Sequence, residues 1–371
     1  MLSLDTFLFL FHTKKKVTFS QFLKHYKVRI NAKIVPLEEY ISKKHIATED
    51  LKLLFEHIRE RNEYLSRFYN TSLKIPDTLE IREPPMKRRE MNNNKNVGYK
   101  NVIRNMFYKE ILQLTESGIA NNPTYMNVLF DLYNGGVIDY KLLTPSALHY
   151  IRNGRIGSVF SSYYFRASIL NPYLIYSLNN RIFHAKRIFT PTLGWGSYFY
   201  GFSQSDITHY VGVDVIPSVC NGVREFCVGF PHIKSDIICK PSESLLRDRS
   251  MAKYRGFFDL VFFSPPYYKL ELYPGDEQST TNYSTYSEWL SEYWTKTIQL
   301  CYHLLEPSGK LCYIISDYGS EGIGETYSLI RDMNSISRRF FTYKESLPMY
   351  NKNVHVTSHR ETNEKIFIFQ K

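Results

Sequence analysis

Two patterns of apolar residues divide the sequence. Up to about residue 150, apolar residues recur at intervals of three and four, most clearly within 47–67, 102–114 and 125–133. This spacing predicts helices that each bury one face, and Thr48 is placed to cap the first of them. We therefore expect residues 1–150 to be mostly α-helical.

From about residue 183, short apolar runs alternate with amphipathic segments. A long helix is predicted from Tyr286 to Leu305, and the stretch from Arg338 to Lys371 is predicted to be a closing pair of strands. Alternating strands and helices of this length indicate an α/β fold with a doubly wound, mostly parallel sheet, on which an antiparallel edge is common. The other predicted strands are Arg187–Thr190, Tyr210–Val213, Asp236–Cys239, Leu260–Phe263, Lys310–Ile315 and Ile366–Gln370.

A break in composition lies between the two regions. The segment 83–97 contains two prolines, mixed charges and a run of asparagines, which predicts an exposed connector. We expect a helical accessory domain over 1–150, with this connector inside it, and an α/β domain over 151–371.

The first apolar run, at 6–11, is too short to span a bilayer. Its lysines, at 14–16, follow the run, whereas a signal peptide places positive charge before it. We therefore expect a buried helix or strand here, no membrane span in the chain and no secretion. The five cysteines show no metal-knuckle spacing, so we expect neither a metal site nor disulfides, as suits a reducing compartment.

The formal net charge is +11, and residues 1–150 hold 23 Lys and Arg against 16 Asp and Glu. An excess of this size attracts polyanions, although a soluble basic surface has the same composition. Lys87, Arg88 and Arg89 form the densest basic cluster and are predicted to contact a nucleic-acid backbone.

Glycine and polar residues follow the first predicted strand. The segment 188–197 has the pattern of a strand, a turn and a helix, with Gly194 and Gly196 in the turn. Glycine lets a backbone approach a ligand closely, and ligands of open α/β sheets bind at the carboxyl ends of the strands. On its own, the same pattern also suits an ordinary tight turn.

Polar residues also follow the second and third predicted strands. Asp214 stands about twenty residues after the glycine turn, where a carboxylate can accept hydrogen bonds from both ribose hydroxyls of an adenosine. Ser242 and Glu243 are placed to meet an adenine edge, and Ser242 would serve equally as a helix cap. Together, the three strand ends predict a nucleoside-like ligand.

The most specific pattern is Ser264-Pro265-Pro266-Tyr267, directly after a fully apolar strand. The two prolines cannot continue a central strand and instead hold a rigid turn. The Ser264 hydroxyl and the Pro265 carbonyl can accept the two hydrogens of an amino group, which orients its nitrogen lone pair. Tyr267 can stack on a base, and the adjacent Tyr268 is predicted to contact nucleic acid.

With these motifs, residues 150–371 resemble the amino-methyltransferases of the class I S-adenosylmethionine fold, especially phage- and virus-type DNA methylases. The resemblance extends over 271–273, 278–279, 283–290, 304–310 and 359–369. It implies a Rossmann-like sheet, S-adenosylmethionine as the cofactor, and Ser264 to Tyr267 as the catalytic residues. The cofactor-binding residues that it implies are Thr190, Pro191, Gly194, Gly196, Asp214, Ser242 and Glu243.

The chain departs from this family at Thr190, where the family usually has an acidic residue that helps to hold the amino group of the cofactor's methionine part. Thr190 cannot supply a charge. The departure implies either a lower cofactor affinity or a substitute acid, for which Asp317 is a candidate if it folds back toward the site.

The resulting hypothesis is a DNA methyltransferase that acts on N6 of adenine or N4 of cytosine, by direct in-line transfer with base flipping. Serine at the first motif position is more usual for cytosine, whereas the wider likeness favours adenine. Alternatives are an RNA adenine or protein glutamine methyltransferase, and an inactive nucleic-acid-binding subunit. DNA is the expected partner, with a second copy or a recognition subunit besides, in the cytoplasm or in a nucleus or viral factory.

Overall fold

The computed structural model describes residues 1–12, 17–118, 123–320, 325–351 and 360–371. The chain forms two compact units, each built from two stretches of sequence. The first comprises 1–75 with 104–168, and the second comprises 76–103 with 169–371. The predicted boundary at residue 150 therefore differs from the observed one, because 76–103 belong to the second unit and 151–168 to the first.

The first unit is mainly helical, as predicted, but it also contains a small sheet that the apolar pattern did not reveal. Lys27–Ile30 pairs antiparallel with Lys33–Pro36 and parallel with Val137–Asp139. The α-helices are Leu4–Leu10, Phe19–His25, Leu37–Lys44, Thr48–Arg59, Arg61–Ser72, Tyr125–Phe130, Pro145–Arg152 and Ile156–Tyr163. Shorter elements are the π-helical turns Glu110–Leu114 and Asp131–Gly135, the 3-10 turn Tyr140–Leu143 and the extended pair Glu116–Ser117.

Local sequence explains where some of these helices begin, although Thr48–Arg59 starts without the predicted cap, because Ala47 occupies the N-cap position and Thr48 lies inside the helix. Phe19–His25 begins with a capping box, in which the Gln21 N–H donates to Thr18 Oγ1 at 3.2 Å and the Thr18 N–H donates to Gln21 Oε1 at 3.0 Å. The helix predicted over 47–67 is two helices, because the backbone of Glu60 leaves the helical conformation at φ −91° and ψ 28°.

The second unit contains the predicted sheet. Its strands are β1 (Arg187–Thr190), β2 (His209–Asp214), β3 (Lys234–Cys239), β4 (Phe258–Phe263), β5 (Leu305–Ile315), β6 (Thr342–Asn351) and β7 (Arg360–Gln370). They lie in the order β6-β7-β5-β4-β1-β2-β3. β1 to β5 run parallel, and β7 is antiparallel to both of its neighbours. The fold is therefore the Rossmann-like, doubly wound α/β fold that the sequence predicts.

The connections of this unit are helical, and the helix Gly98–Met106 carries the chain from one unit to the other. The predicted helix over 286–305 is continuous but contains a wider π-helical turn at Trp289–Trp294. The remaining α-helices are Pro172–Leu178, Ser197–Phe202, Pro217–Val228, Ser279–Asn282, Tyr286–Glu288, Thr295–Leu304 and Leu329–Ser337. Shorter elements are the turns Asn179–Phe183, Gly194–Gly196, Ser242–Arg247 and Arg249–Tyr254, the extended pair Glu271–Leu272, and the paired strands Tyr318–Ser320 and Glu325–Tyr327.

The strand order fixes where a ligand can bind. β1 is followed by β2 and β3 on one side, whereas β4 and β5 lie on its other side. The chain therefore changes direction across the sheet between β1 and β4, and a crevice opens at the carboxyl ends of the strands at such a point. β4 is buried at nearly every position, as its apolar sequence predicts for a central strand.

Most of the segment 83–97 is exposed, as predicted for a connector, but the segment is also anchored to the second unit at several points. Tyr173 Oη donates to the Pro84 carbonyl at 2.7 Å, and the Met86 N–H donates to Ser177 Oγ at 3.0 Å. Met86 and Met91 are buried. These two apolar side chains anchor the segment to the second unit, and the charged residues between them remain exposed. No helix of the described residues is long and apolar enough to cross a membrane.

Candidate active site

A cavity opens at the carboxyl ends of β1, β2, β3 and β4, where the strand order reverses. We call it the switch-point cavity. Of the sequence-predicted residues, it brings together Pro191, Gly194, Asp214, Ser242, Glu243, Ser264 and Pro266. The other lining residues are Thr192, Trp195, Val215, Ile216, Lys240, Tyr273, Glu277, Gln278, Ser279 and Tyr293.

The turn after β1 forms one wall. Gly194 has φ +52°, and a Cβ on it would stand 2.3 Å from the Tyr198 ring. Gly196 has φ +82° and precedes the helix Ser197–Phe202, but it does not line the cavity. Both glycines are therefore required by the turn itself, and only Gly194 also faces the site.

Thr190 lies beneath this wall and does not line the cavity. It is fully buried, and its Oγ1 is 2.8 Å from Tyr210 Oη. The proposed stand-in acid, Asp317, is not a lining residue either. Its carboxylate accepts from the Ile330 N–H at 2.8 Å, near the start of the helix Leu329–Ser337. The structure therefore assigns Asp317 to the start of this helix and not to the cavity.

Asp214 ends β2 at the rim of the cavity, and its carboxylate is fixed by three backbone donors. Oδ1 accepts from the N–H groups of Val215 at 2.9 Å and Ile216 at 3.1 Å. Oδ2 accepts from the Leu193 N–H at 3.2 Å. Burial raises the pKa of Asp214, and the three backbone donors oppose that rise. Since each carboxylate oxygen has two acceptor positions, Oδ2 retains one for a ligand hydroxyl.

Ser242 and Glu243 follow β3 on the opposite wall. Ser242 is buried, with its Oγ 3.2 Å from Thr297 Oγ1. Tyr283 Oη donates to Glu243 Oε1 at 3.1 Å, and burial raises the pKa of Glu243. The two residues therefore present polar side chains that are themselves buried in the wall of the cavity.

Ser264 is held at the end of β4 through both its backbone and its side chain. Its N–H donates to Tyr198 Oη at 2.9 Å, and its Oγ donates to the Ile314 carbonyl at 3.0 Å. Burial raises the pKa of Tyr198 to about 12, so this phenol stays neutral. Because the Ser264 proton is committed to Ile314, the lone pairs of Oγ remain able to accept hydrogen bonds.

The rest of the Ser-Pro-Pro-Tyr turn is ordered around Ser264. Pro265 is buried and Pro266 lines the cavity. Tyr267 Oη accepts from the Ser316 N–H at 2.7 Å, which fixes the half-buried ring next to β5. One side of this ring stacks on Tyr318, with centroids 5.7 Å apart. Pro265 and Tyr267 do not line the cavity itself.

The predicted nucleic-acid contact at Tyr268 is wrong for this conformation. Only 1% of Tyr268 is exposed, its ring packs against Tyr286, Trp289 and Tyr327, and its Oη donates to the Ser284 carbonyl at 2.7 Å. A ring enclosed in this way supports the turn and cannot stack on a base.

The basic cluster at 87–89 is exposed, as its predicted role requires, but it belongs to the second unit. The Lys87 side chain is 81% exposed, with its Nζ 3.9 Å from a Glu90 oxygen. Arg88 forms an exposed ion pair with Glu345.

Motif analysis did not assign a role to several wall residues, of which Tyr293 is the most informative. It lies in the π-helical turn Trp289–Trp294, only 2% of it is exposed, and its Oη has no hydrogen-bond partner among the described residues. A buried hydroxyl without a partner is rare, and a ligand acceptor in the cavity would satisfy it. Tyr273, Gln278 and Ser279 lie in segments that share the family resemblance, whereas no sequence pattern distinguishes Tyr293.

Solved structures similar to this chain include two proteins at low identity. One is TrmN from Thermus thermophilus, with 13% identity, a TM-score of 0.34, and coverage of 54% of this chain and 48% of that one. The other is the N-methyltransferase NodS from Bradyrhizobium japonicum in complex with S-adenosyl-L-homocysteine, with 12% identity, a TM-score of 0.34, and coverage of 53% and 82%. No curated protein matches the sequence.

The N6_N4_Mtase family model, described as DNA methylase, matches residues 258–371. The match contains the Ser264–Tyr267 turn, the final strands of the sheet and the wall residues from Tyr273 to Tyr293. It confirms the predicted family resemblance for these residues. Residues 258–371 of this chain are thus similar to the DNA methylases that the N6_N4_Mtase family model describes.

Proposed function

We propose that this chain methylates the exocyclic amino group of a base in DNA, at N6 of adenine or N4 of cytosine, with S-adenosylmethionine as donor. One observation carries the proposal. Ser264 and Pro266 of the Ser-Pro-Pro-Tyr turn line the same switch-point cavity as the polar residues that follow β2 and β3. An amine acceptor and a nucleoside-like donor would therefore meet at a single site.

The cavity residues fit the cofactor. Asp214 Oδ2 would accept a ribose hydroxyl, and the turn at Pro191 and Gly194 would lie along the methionine part. The unpartnered Tyr293 hydroxyl would donate to an acceptor atom at the adenine end, beside Ser242. When bound, the cofactor supplies a methyl group on a positively charged sulfur. Every other contribution to the reaction comes from side chains and backbone of the protein.

Ser264 would orient the target amine. Its Oγ, whose proton is held by the Ile314 carbonyl, accepts one amine hydrogen, and the Pro265 carbonyl accepts the other. Both bonds direct the nitrogen lone pair away from the turn and toward the methyl donor. The reaction is then a direct in-line transfer, in which the amine nitrogen forms a bond to the methyl group as the bond between that methyl and sulfur breaks, and the methylated amine passes one of its protons to water. The protein contributes mainly positioning.

A base paired in duplex DNA cannot reach this turn. The target nucleotide therefore has to leave the stack, which costs a few kcal/mol. The Tyr267 ring, held by the Ser316 N–H, would offer its face opposite Tyr318 to the extruded base. Adenine is the first base to test, because the wider family likeness favours it over cytosine.

Tritiated S-adenosylmethionine incubated with separate DNA, RNA and protein pools tests the substrate class. We expect label in DNA, and N6-methyladenine or N4-methylcytosine in the digested nucleosides by mass spectrometry. Label in RNA or protein alone would refute the DNA proposal, and 5-methylcytosine would refute amine methylation. Binding of cofactor and DNA without any transfer would identify an inactive binding subunit instead.

A further inference from the structure

The first unit contains a cavity that the proposed reaction does not use. It lies between the helix Phe19–His25, the junction of the helices Thr48–Arg59 and Arg61–Ser72, and the π-helical turn Asp131–Gly135. We call it the N-terminal cavity. All of its lining residues belong to the first unit, so the switch-point cavity and this cavity are different sites.

Aromatic rings form part of its wall. Tyr26 and Phe55 each pack against Phe22, with centroid distances of 4.8 and 5.3 Å, and both line the cavity. Tyr133 lines it as well and is only 3% exposed. Flat apolar surfaces of this kind can stack on a planar ligand, and bases of nucleic acids stack on aromatic side chains in this way.

The Tyr133 hydroxyl indicates that the ligand carries a polar acceptor. Within the described residues, Tyr133 Oη has no hydrogen-bond partner, and burial raises the pKa of Tyr133, so its proton is retained. A buried donor without a partner is unfavourable, and an acceptor on a bound ring would satisfy it.

Charged residues of both signs line the rim of the same cavity. They are Arg59, Arg61 and Glu60, and the exposed Arg59 is paired with Glu60 at 3.0 Å. Arg61 lines the cavity together with the aromatic rings of Tyr26 and Tyr133. A guanidinium in this position favours an anion, because it presents several N–H donors in a fixed geometry.

We propose that the N-terminal cavity binds a nucleotide. The base would stack on the aromatic wall and accept a hydrogen bond from Tyr133 Oη, and the phosphate would lie at the Arg61 guanidinium. The ligand is either a free nucleotide or one nucleotide of a single strand, since both present the same chemistry. The site goes beyond the proposed methyl transfer, because it shares no residue with the switch-point cavity.

Binding to the full chain tests the proposal, with thymidine 5′-monophosphate and a fluorescent deca-thymidylate as the two probes. Arg61→Gln is expected to weaken binding of at least one probe roughly tenfold or more, because a hydrogen bond to a charged group is lost. Tyr133→Phe, which keeps the ring, is expected to weaken it roughly three- to tenfold. The matched control is Lys52→Gln, an exposed charge on the helix Thr48–Arg59 that does not line the cavity, and it is expected to leave affinity within twofold.

Binding of the mononucleotide identifies a nucleotide site, and binding of the oligonucleotide alone identifies a nucleic-acid site. Either result, with the expected losses in both variants and unchanged thermal unfolding, supports the proposal. It is overturned if neither probe binds, or if Arg61→Gln and Tyr133→Phe bind as the natural chain does. Asp214→Ala should retain this binding while losing the cofactor, which separates failure here from failure of the proposed methyl transfer.

Discussion

At the scale of single residues, some polar groups of the switch-point cavity already form hydrogen bonds within the protein, and another has a hydrogen bond still to form. The Asp214 carboxylate accepts three backbone N–H groups, and the Ser264 hydroxyl has committed its proton to Ile314. Tyr293, in contrast, has no hydrogen-bond partner among the described residues. Asp214 and Ser264 are therefore fixed hydrogen-bond acceptors, whereas the Tyr293 hydroxyl is a donor that a ligand could engage. A different prediction follows for each residue.

Asp214→Ala is expected to weaken S-adenosylmethionine binding by roughly tenfold or more, because hydrogen bonds to a charged group are lost. For the natural chain, affinity should fall as the pH is lowered through the pKa of Asp214. Burial raises that pKa, so the loss should begin at a higher pH than for an ordinary aspartate. Calorimetric titration over a pH series measures both effects. An affinity unchanged by Asp214→Ala would remove this residue from the cofactor site.

Ser264→Ala is expected to lower kcat roughly tenfold to a hundredfold while cofactor affinity stays the same, because the target amine loses its orienting acceptor. The matched control is Ser203→Ala, since Ser203 is also buried and its Oγ donates to the Tyr200 carbonyl at 2.9 Å, outside the cavity. Single-turnover kinetics with labelled cofactor separates the two variants. Equal losses in both would indicate a general effect on stability rather than a role in orientation.

Tyr293→Phe removes one hydroxyl and keeps the ring in place. We expect cofactor affinity to fall roughly fivefold, which corresponds to one hydrogen bond of about 1 kcal/mol. The melting temperature of the free protein should not fall, since the hydroxyl has no partner among the described residues. Calorimetry and thermal unfolding are the two measurements, and a lower melting temperature with unchanged affinity would contradict the assignment.

At the scale of elements, the turn after β1 depends on one glycine for two separate reasons. Gly194 has a positive φ, which disfavours a side chain, and a Cβ there would overlap the Tyr198 ring. Tyr198 in turn holds the backbone of Ser264. The cofactor turn and the catalytic turn are therefore coupled through one tyrosine.

Gly194→Ala should consequently destabilise the second unit and lower activity as well. Gly256→Ala is the matched control, because Gly256 has φ +63° and a Cβ added to it would meet nothing within 4 Å. The control measures how much the free energy of unfolding falls when a side chain is placed on a left-handed backbone, about 1–2 kcal/mol. Urea unfolding should show a larger loss for Gly194→Ala, and equal losses would mean that the Tyr198 ring moves aside at no cost.

Helices and strands with a regular pattern of apolar residues were predictable from the sequence. Elements whose positions depend on contacts with distant parts of the chain were not. β1 and β4 lie where alternation and apolar runs indicate, because a central strand must be apolar on both faces. Lys27–Ile30 and its small sheet escaped prediction, since such short strands carry little pattern. Tyr268 was misassigned because sequence gives its position beside the turn but not the direction of its ring.

At the scale of the whole molecule, charge is the property that sequence gives most directly. The chain carries a net +11, and Lys87, Arg88 and Arg89 are exposed in the second unit, which also holds the switch-point cavity. The sequence predicted the cluster but assigned it to a helical N-terminal domain, because the buried anchors Met86 and Met91 are visible only in the fold. The role of this cluster in DNA binding therefore has to be tested by substitution, since deletion of residues 76–103 would also remove part of the second unit.

The triple variant Lys87→Gln, Arg88→Gln, Arg89→Gln tests whether the cluster contacts the DNA phosphate backbone. Each phosphate contact releases counterions, so loss of three contacts should reduce the slope of log affinity against log salt by roughly two to three for duplex DNA. Arg88 gives up its pair with Glu345, but an exposed pair of this kind contributes at most about 1 kcal/mol to stability. The control is Lys43→Gln, Lys44→Gln, Lys52→Gln, which removes the same charge from exposed positions of the first unit. If both triple variants lower the slope equally, DNA binding depends only on the net charge of the protein. If only the variant at 87–89 lowers the slope, the phosphate backbone contacts that cluster.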